Sequence, residues 1–341
     1  MSGPADGIAP EESRLISLST NLHHQTCTML AFLNGRFVPY EEARLPLHDA
    51  GFIFGATVTD LCRTFHHRLF RLSDHVARFR QSCELARIPQ PVLDQELAHL
   101  AEELAAKNSA QLRPEEDLVL VMFATPGPIG YYASSSLSPR GERGRGEGKT
   151  NPEDSPPTLG MHTFPLPLSR YASLFRQGAH LVVPTARQVP PSSVGPRIKH
   201  RSRLHWWIAG QEAQQTDKDA WALLLDTNGY VTETAAANFL IVKDGIVYTP
   251  PRTTILSGIS LLTVEEICQE KGIPFQERAI KLKDCLEADE ALLTGTAFCL
   301  AGVSRIGAAS IPWPGKVLAK LQEAWNQRVG LDIRAQILSG G

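Results

Sequence analysis

Apolar residues along this chain either alternate with polar ones or return every third and fourth position, and the two rhythms divide it into strands and helices. The run MLAFLNGRFVPYEEARLPL, residues 29–47, sets Asn34-Gly35 between apolar stretches, the signature of a hairpin. HHRLFRL, residues 66–72, alternates again and reads as a strand. In LSDHVARFRQSCELARIP, Leu72, Val76, Phe79, Cys83 and Ala86 share one helical face, and Pro89 stops the helix. QELAHLAEELAAKN (95–108) predicts a second amphipathic helix, and DLVLVMFATPG (117–127) a buried strand.

The second half continues in the same way. AHLVVPTARQVP (179–190) reads as a strand, and RLHWWIAGQEAQQ (203–215) as a helix behind the basic stretch PRIKHRSR. Two hairpins follow, turning at Asn228-Gly229 and Asp244-Gly245. SLLTVEEICQEKG is a helix closed by Gly272 with Pro274 beyond it. EALLTGT (290–296) is a strand, and PGKVLAKLQEAWNQRV (314–329) is the amphipathic helix expected to close the chain. No internal repeat is visible. Antiparallel hairpins mixed with helices indicate an α+β, two-domain architecture rather than a doubly wound sheet.

The rhythm fails in SSSLSPRGERGRGEGKTNPEDSPP, residues 134–157, which is nearly free of apolar residues and rich in Gly, Pro, Ser and charge. Such a segment cannot bury enough surface to order itself and is expected to be a disordered insertion within a hairpin. An arginine–glycine nucleic-acid segment is the rival reading, disfavoured by the interspersed acids. TLGMHTFPLPL (158–168) returns as the partner strand. The expected division is a flexible leader over 1–26, a small N-terminal α/β domain over 27–167, a linker over 168–177 and a larger α/β domain over 178–341.

Composition narrows the function classes. The 341 residues are 43% hydrophobic and 21% charged, with a formal net charge of −2, so no global basic field draws the chain to nucleic acid or membrane. No apolar run reaches membrane-spanning length, and the start, MSGPADGIAPEESRL, lacks a signal-peptide core; a cytoplasmic location is expected. The six cysteines are scattered without a C-x-x-C pair, which argues against zinc or a disulfide framework and for reduced, buried thiols; no metal is expected.

Three stretches could carry chemistry. Lys199 lies among Arg197, His200, Arg201 and Arg203, directly before Trp206-Trp207. Neighbouring cations and desolvation both depress a lysine pKa, the condition for a nucleophilic amine, although basic runs are more often solvated faces. Glu233 is the one acid before a run of small residues in VTETAAANF, where a carboxylate could approach a planar ring; a strand-end acid in solvent is equally compatible. In ILSGISL, Gly258, Ile259 and Ser260 open a helix, and a helix start binds phosphate, unless Ser257 or Ser260 simply caps it. Thr294 and Thr296, flanking Gly295, could bond the same anion or form an ordinary turn.

Taken in order, LNGRFVP, DAGFIFG, FRLSDHVARF, RIKHRSRL, VTETAAANF, ILSGISL and LLTGTAF resemble the fold-type IV pyridoxal-phosphate enzymes. These are the class IV aminotransferases, which include branched-chain and D-amino-acid aminotransferases and aminodeoxychorismate lyase. The likeness runs from Ala31 to about Ile306, apart from the insertion. It implies the D-amino-acid aminotransferase-like fold, two α/β domains with pyridoxal 5'-phosphate in the cleft between them, and a homodimer whose partner chain reaches over the site. It also implies that Lys199 links the cofactor and shuttles the proton, and that Glu233 pairs with the pyridine nitrogen. Arg78, the backbone of Ile259 and Ser260, and the Thr296 hydroxyl would hold the phosphate.

The implied reaction moves an amino group between an amino acid and a 2-oxo acid, with pyruvate release from aminodeoxychorismate as the alternative. Leu204 replaces the tyrosine that branched-chain enzymes carry five residues after the lysine, and KHRSRL looks more like the lyase or D-amino-acid branch. Thr59 and Asp60 stand where those enzymes have an aromatic residue and Glu. Arg63 aligns with an arginine common to several branches and either faces a substrate carboxylate or packs. A non-catalytic cofactor carrier on the same fold is the remaining rival, and Lys199 with Glu233 argues against it.

Overall fold

The computed structural model describes residues 28–132 and 156–340; the expected leader, Cys27 and nearly all of the expected insertion lie outside them. The first body is an antiparallel sheet. Strands β1 (Leu30–Leu33) and β2 (Arg36–Pro39) form the hairpin expected at Asn34-Gly35, whose φ angles of 47° and 86° suit a tight two-residue turn. After the short helix α1 (Ala50–Ile53) comes β3 (Val58–Phe65), then β4 (Arg68–Leu69). His66 and His67, read as part of a strand, instead make the turn between them, with φ of 51° and 63°. Helices α2 (Leu72–Ala86) and α3 (Asp94–Ser109) follow, then β5 (Leu118–Thr125) and β6 (Thr158–Pro165). The sheet order is β2-β1-β6-β5-β3-β4.

Alternation decides its two faces. Val58 and Cys62 of β3, with Leu120, Met122 and Ala124 of β5, pack against Val76, Phe79 and Cys83 of α2 and Leu97, Ala101 and Leu104 of α3. Asp60 lies between Val58 and Cys62 and so shares the helix-covered face, where a charge is tolerated only with partners. Residues 168–177 then form a 3-10 turn (Leu168–Tyr171) and helix α4 (Ala172–Arg176), with Ala172, Leu174 and Phe175 buried in the core of the second body.

That body begins with β7 (Ala179–Val182), shorter than the sequence predicts; Pro184 lies just past its end and brings no N–H to a ladder. Next come α5 (Leu204–Thr216), β8 (Trp221–Leu225), β9 (Val231–Thr234), β10 (Asn238–Lys243) and β11 (Ile246–Thr249). Helix α6 (Ile259–Glu270), β12 (Phe275–Glu277), α7 (Leu282–Leu286), β13 (Glu290–Gly295), β14 (Cys299–Ile306) and β15 (Ala309–Ser310) continue the chain. Helix α8 (Lys316–Val329) does not close it, because α9 (Ile333–Ser339) follows.

The strand order is β12-β11-β10-β13-β14-β7-β8-β9, and β9 returns to pair with β10 at Glu233 and Asn238. Six strands, from β10 round to β9, therefore close a ring at one of the candidate residues. Parallel pairs (β7 with β8 and β14) sit beside antiparallel ones, so the fold is α+β as expected. No helix among the described residues is long and apolar enough to cross a membrane. The five described cysteines are buried and unpaired.

Candidate active site

The basic stretch joins the two bodies. The Thr59 N–H donates to Lys199 O and the Arg201 N–H to Thr57 O, each at 2.8 Å, so the loop runs as an irregular edge along the start of β3. From α2, the Ser82 hydroxyl accepts the Lys199 N–H at 3.1 Å. Lys199 is thus fixed by backbone bonds from two elements before its side chain is considered.

Its side chain enters a cavity that also contains Arg78, Glu233, Ile259, Ser260 and Thr296, six residues from five separate stretches. Burial, helped by the positive charge of Arg78 and opposed by Asp60, lowers the Lys199 ammonium to about 7. Arg203 and Arg201 add to the lowering. The amine is therefore available as a base or nucleophile near neutrality.

Glu233 is buried at the β9–β10 closure. Burial raises its carboxyl to about 7, against the lowering effects of the Leu256 N–H, Lys199, Arg203 and Arg78. Asn238 Nδ2 donates to Oε2 at 2.9 Å, and the Leu256 N–H lies 3.2 and 3.3 Å from the two oxygens. Asn238 also donates to Leu256 O, tying the carboxylate to the loop before α6.

Arg78, on α2, gives Nε and Nη2 to the two oxygens of Asp60, both at 2.8 Å, and Nη1 to Ser257 O at 3.0 Å. Each Nη nitrogen keeps a second N–H for the cavity. His75, one helical turn earlier, places Nδ1 2.7 Å from Asp60. The sequence reading places Asp60 only by alignment and omits His75 and Ser82; Asp60's apolar neighbours on β3 and the i, i+3 spacing of His75 and Arg78 are the local signals for this cluster.

Helix α6 starts at Gly258, and neither Ser257 nor Ser260 caps it; its first N–H groups have no side-chain acceptor. A Cβ on Gly258 would stand 2.0 Å from Asn238 Oδ1, so glycine is required for the backbone to approach that side chain. Across the cavity the Thr294 hydroxyl is buried without a hydrogen-bond partner, and Thr296 lies on the lining. The N–H groups at the start of α6, the Arg78 guanidinium and the two threonine hydroxyls line the same cavity as Lys199 and Glu233, a donor set able to hold an anion.

Arg63 is elsewhere. It is fully buried, absent from the cavity lining, and donates to Thr64 O (3.0 Å), Ala297 O (3.0 Å) and Gln336 Oε1 (2.8 Å), with Asp117 at 3.5 Å. Its guanidinium also stacks 3.9 Å above the Phe65 ring. Of the two expectations for this residue, the geometry is that of packing: it ties β3 to the turn after Thr296 and to α9.

The amino-transferase class IV family model matches residues 57–306. The D-alanine aminotransferase of Bacillus licheniformis is 26% identical over 299 residues, 87% of this chain and 95% of the relative. The branched-chain-amino-acid aminotransferase of Salmonella typhimurium is 26% identical over 305 residues, 86% and 91% of the two chains. The crystal structure of the Escherichia coli branched-chain amino acid aminotransferase shares the fold, with a TM-score of 0.77 at 23% identity over 88% of this chain and 94% of that one. A cavity holding a depressed lysine, a buried carboxylate and an anion cradle, within a chain matched over most of its length, places this protein in the class IV aminotransferase family, whose enzymes work through pyridoxal 5'-phosphate.

Proposed function

We propose that this cavity moves an amino group between an amino acid and a 2-oxo acid on pyridoxal 5'-phosphate, with Lys199 as cofactor link and proton carrier. The observation that carries the reading is the meeting of Lys199, Glu233, Arg78 and the uncapped start of α6 in one cavity. The residues fit the cofactor: the orphaned Thr294 hydroxyl, the glycine-dependent approach at Gly258 and the free N–H groups of Arg78 suit a phosphate, and a primary amine near its neutral form suits an aldehyde. When bound, the cofactor supplies an electron sink for the carbanion left after Cα deprotonation.

The rest falls to the protein. The Ile259 and Ser260 N–H groups, Arg78 and Thr296 would hold the phosphate. Glu233, anchored by Asn238 and Leu256, would pair with the ring nitrogen of the cofactor and help retain a proton there, an interaction that would strengthen as charge develops. Lys199 Nζ, its ammonium lowered to about 7 by burial, would take and return the proton at the substrate carbon.

A homodimer is part of the reading. Leu47, Phe52 and Phe54 are exposed by 80%, 71% and 62%, and Leu204 and Trp207 of α5 by 71% and 67%. The Ser202 hydroxyl, donating to Gly55 O at 2.6 Å, ties the two segments together beside the lysine loop. A second copy covering them would also close the site from water.

The decisive experiment is a half-reaction. Protein loaded with the cofactor should lose its visible absorption with an amino donor alone and regain it on addition of a 2-oxo acid, and borohydride should fix the cofactor to the peptide containing Lys199. If no donor has any effect, while aminodeoxychorismate yields pyruvate without an acceptor, the lyase reading replaces this one.

A further inference from the structure

A line of hydrogen bonds leaves the cavity through Glu233. Gln188 Nε2 lies 3.5 Å from Glu233 Oε1, and Gln188 Oε1 lies 3.0 Å from His205 Nε2. Once ionised, above about pH 7, the Glu233 carboxylate only accepts, so Gln188 then turns its amide NH2 toward Glu233 and its carbonyl toward His205. His205 must then donate from Nε2, which fixes its neutral tautomer. The polarity of all three groups follows from the charge on Glu233.

Each member is held from outside the line. The Gln188 backbone N–H donates to Leu225 O at 2.9 Å, which pins the residue to the end of β8. His205 sits in the first turn of α5, its ring centroid 5.3 Å from that of Trp206. All three line a second cavity, which shares Lys199, Arg203, Trp206 and Glu233 with the first. On Glu233, Asn238 holds Oε2, and Gln188 is the only described side chain donating to Oε1. The Gln188–Glu233 link is the longest of the set, as such contacts often are before a site is loaded.

We propose that Gln188 and His205 are positioning residues of the transfer reaction, holding Glu233 ionised and turned into the cavity through a directed His205–Gln188–Glu233 chain. The proposal rests on the reading of Glu233 as partner of the cofactor ring. Desolvation favours the neutral carboxyl, and a neutral carboxyl cannot retain the ring proton. Donors aimed at Oε1 and Oε2 oppose that tendency, and a donor to a charged acceptor is worth more than an ordinary one. The effect of His205 travels through the Gln188 amide.

The test compares Gln188→Leu, His205→Phe and His205→Gln with Glu233→Gln. Gln188→Leu should lower kcat about tenfold, the scale of one hydrogen bond to a charged group, with KM for the amino donor unchanged. His205→Phe should lower kcat less, and His205→Gln, which can still donate, should restore it. In cofactor-free protein held above pH 7, where Glu233 is ionised, 15N NMR should show His205 as the Nε2–H tautomer, and a mixture of tautomers in Gln188→Leu. Wild-type kcat in both Gln188→Leu and His205→Phe, with Glu233→Gln impaired, would overturn the chain and leave Glu233 in place; an Nδ1–H tautomer would overturn it too. A fully active Glu233→Gln would remove the reading of Glu233 itself, and the chain with it.

Discussion

Asp60 and Arg78 meet edge to edge: two parallel hydrogen bonds of 2.8 Å join one carboxylate to one guanidinium inside the small sheet's helix-covered face. Burial would raise the Asp60 carboxyl, but Arg78 and His75 offset it and hold the group well below the usual carboxylate range. A carboxyl depressed on folding contributes stability that is present above its unfolded value of about 4 and lost as pH falls through the folded one. The clamp on Arg78 should therefore be intact throughout neutral and mildly acidic solution. Asp60→Ala should cost about 3–5 kcal/mol of stability, because Arg78 is left buried without its counter-charge. Cofactor affinity should fall with it. Denaturant melts and cofactor titration check both, and an unchanged melt would remove Asp60 from the frame of the site.

Lys199 and Glu233 make a second pH prediction, with opposite signs. The Lys199 amine is lowered to about 7, so between about 7 and 10 the unfolded chain binds more protons and cofactor-free protein gains stability as pH rises. The Glu233 carboxyl is raised to about 7, so between about 4 and 7 the folded chain binds more protons and stability falls as pH rises. The two effects meet as a dip near neutrality. Lys199→Met with Glu233→Gln should flatten that dip in a stability-against-pH series. A wild-type profile without a neutral dip would show that the two groups are not both shifted.

Arg63→Ala should destabilise the protein by about 3–5 kcal/mol while leaving the ranking of amino donors unchanged. Its donors end on Thr64, Ala297 and Gln336 rather than in the cavity. A selective rise in KM for one donor class would instead place Arg63 against a substrate carboxylate.

Gly258→Ala would push a methyl group onto Asn238 Oδ1, 2.0 Å away in the present backbone. Asn238 holds Glu233 Oε2, so the strain reaches the carboxylate. An overpacking cost of about 1–3 kcal/mol is expected, together with weaker cofactor binding. Calorimetry and cofactor titration read the two effects separately.

What was legible in the sequence is what local chemistry decides. Asn34-Gly35 and Asp244-Gly245 turn where they should, with positive φ at all four residues. Lys199, Glu233, Arg78, Ile259, Ser260 and Thr296, far apart in sequence, do share a cavity. The misses have a common cause. His66 and His67 adopt left-handed φ with no glycine to announce it, because Asp117 and nearby carbonyls bind His67 from across the sheet. Strand β14 begins at Cys299, directly after the turn that follows Thr296, and its mostly apolar first half has no alternation to mark it. Gln188 sits in an unremarkable stretch and His205 among the cations and tryptophans that draw attention to Lys199 instead, so the contacts of both become visible only where the ring of strands closes beside them.

The Arg63 tie also orders events during synthesis. Its partners in the first half of the chain are Thr64 O and Asp117; Ala297 and Gln336 come much later, Gln336 by 273 positions. A ribosome that has made the small sheet has made a guanidinium that cannot yet be fully satisfied, and such a group resists being sealed from water. A chain cut before Gln336 would leave that guanidinium short of an acceptor, a cationic flaw for a protease or chaperone to find.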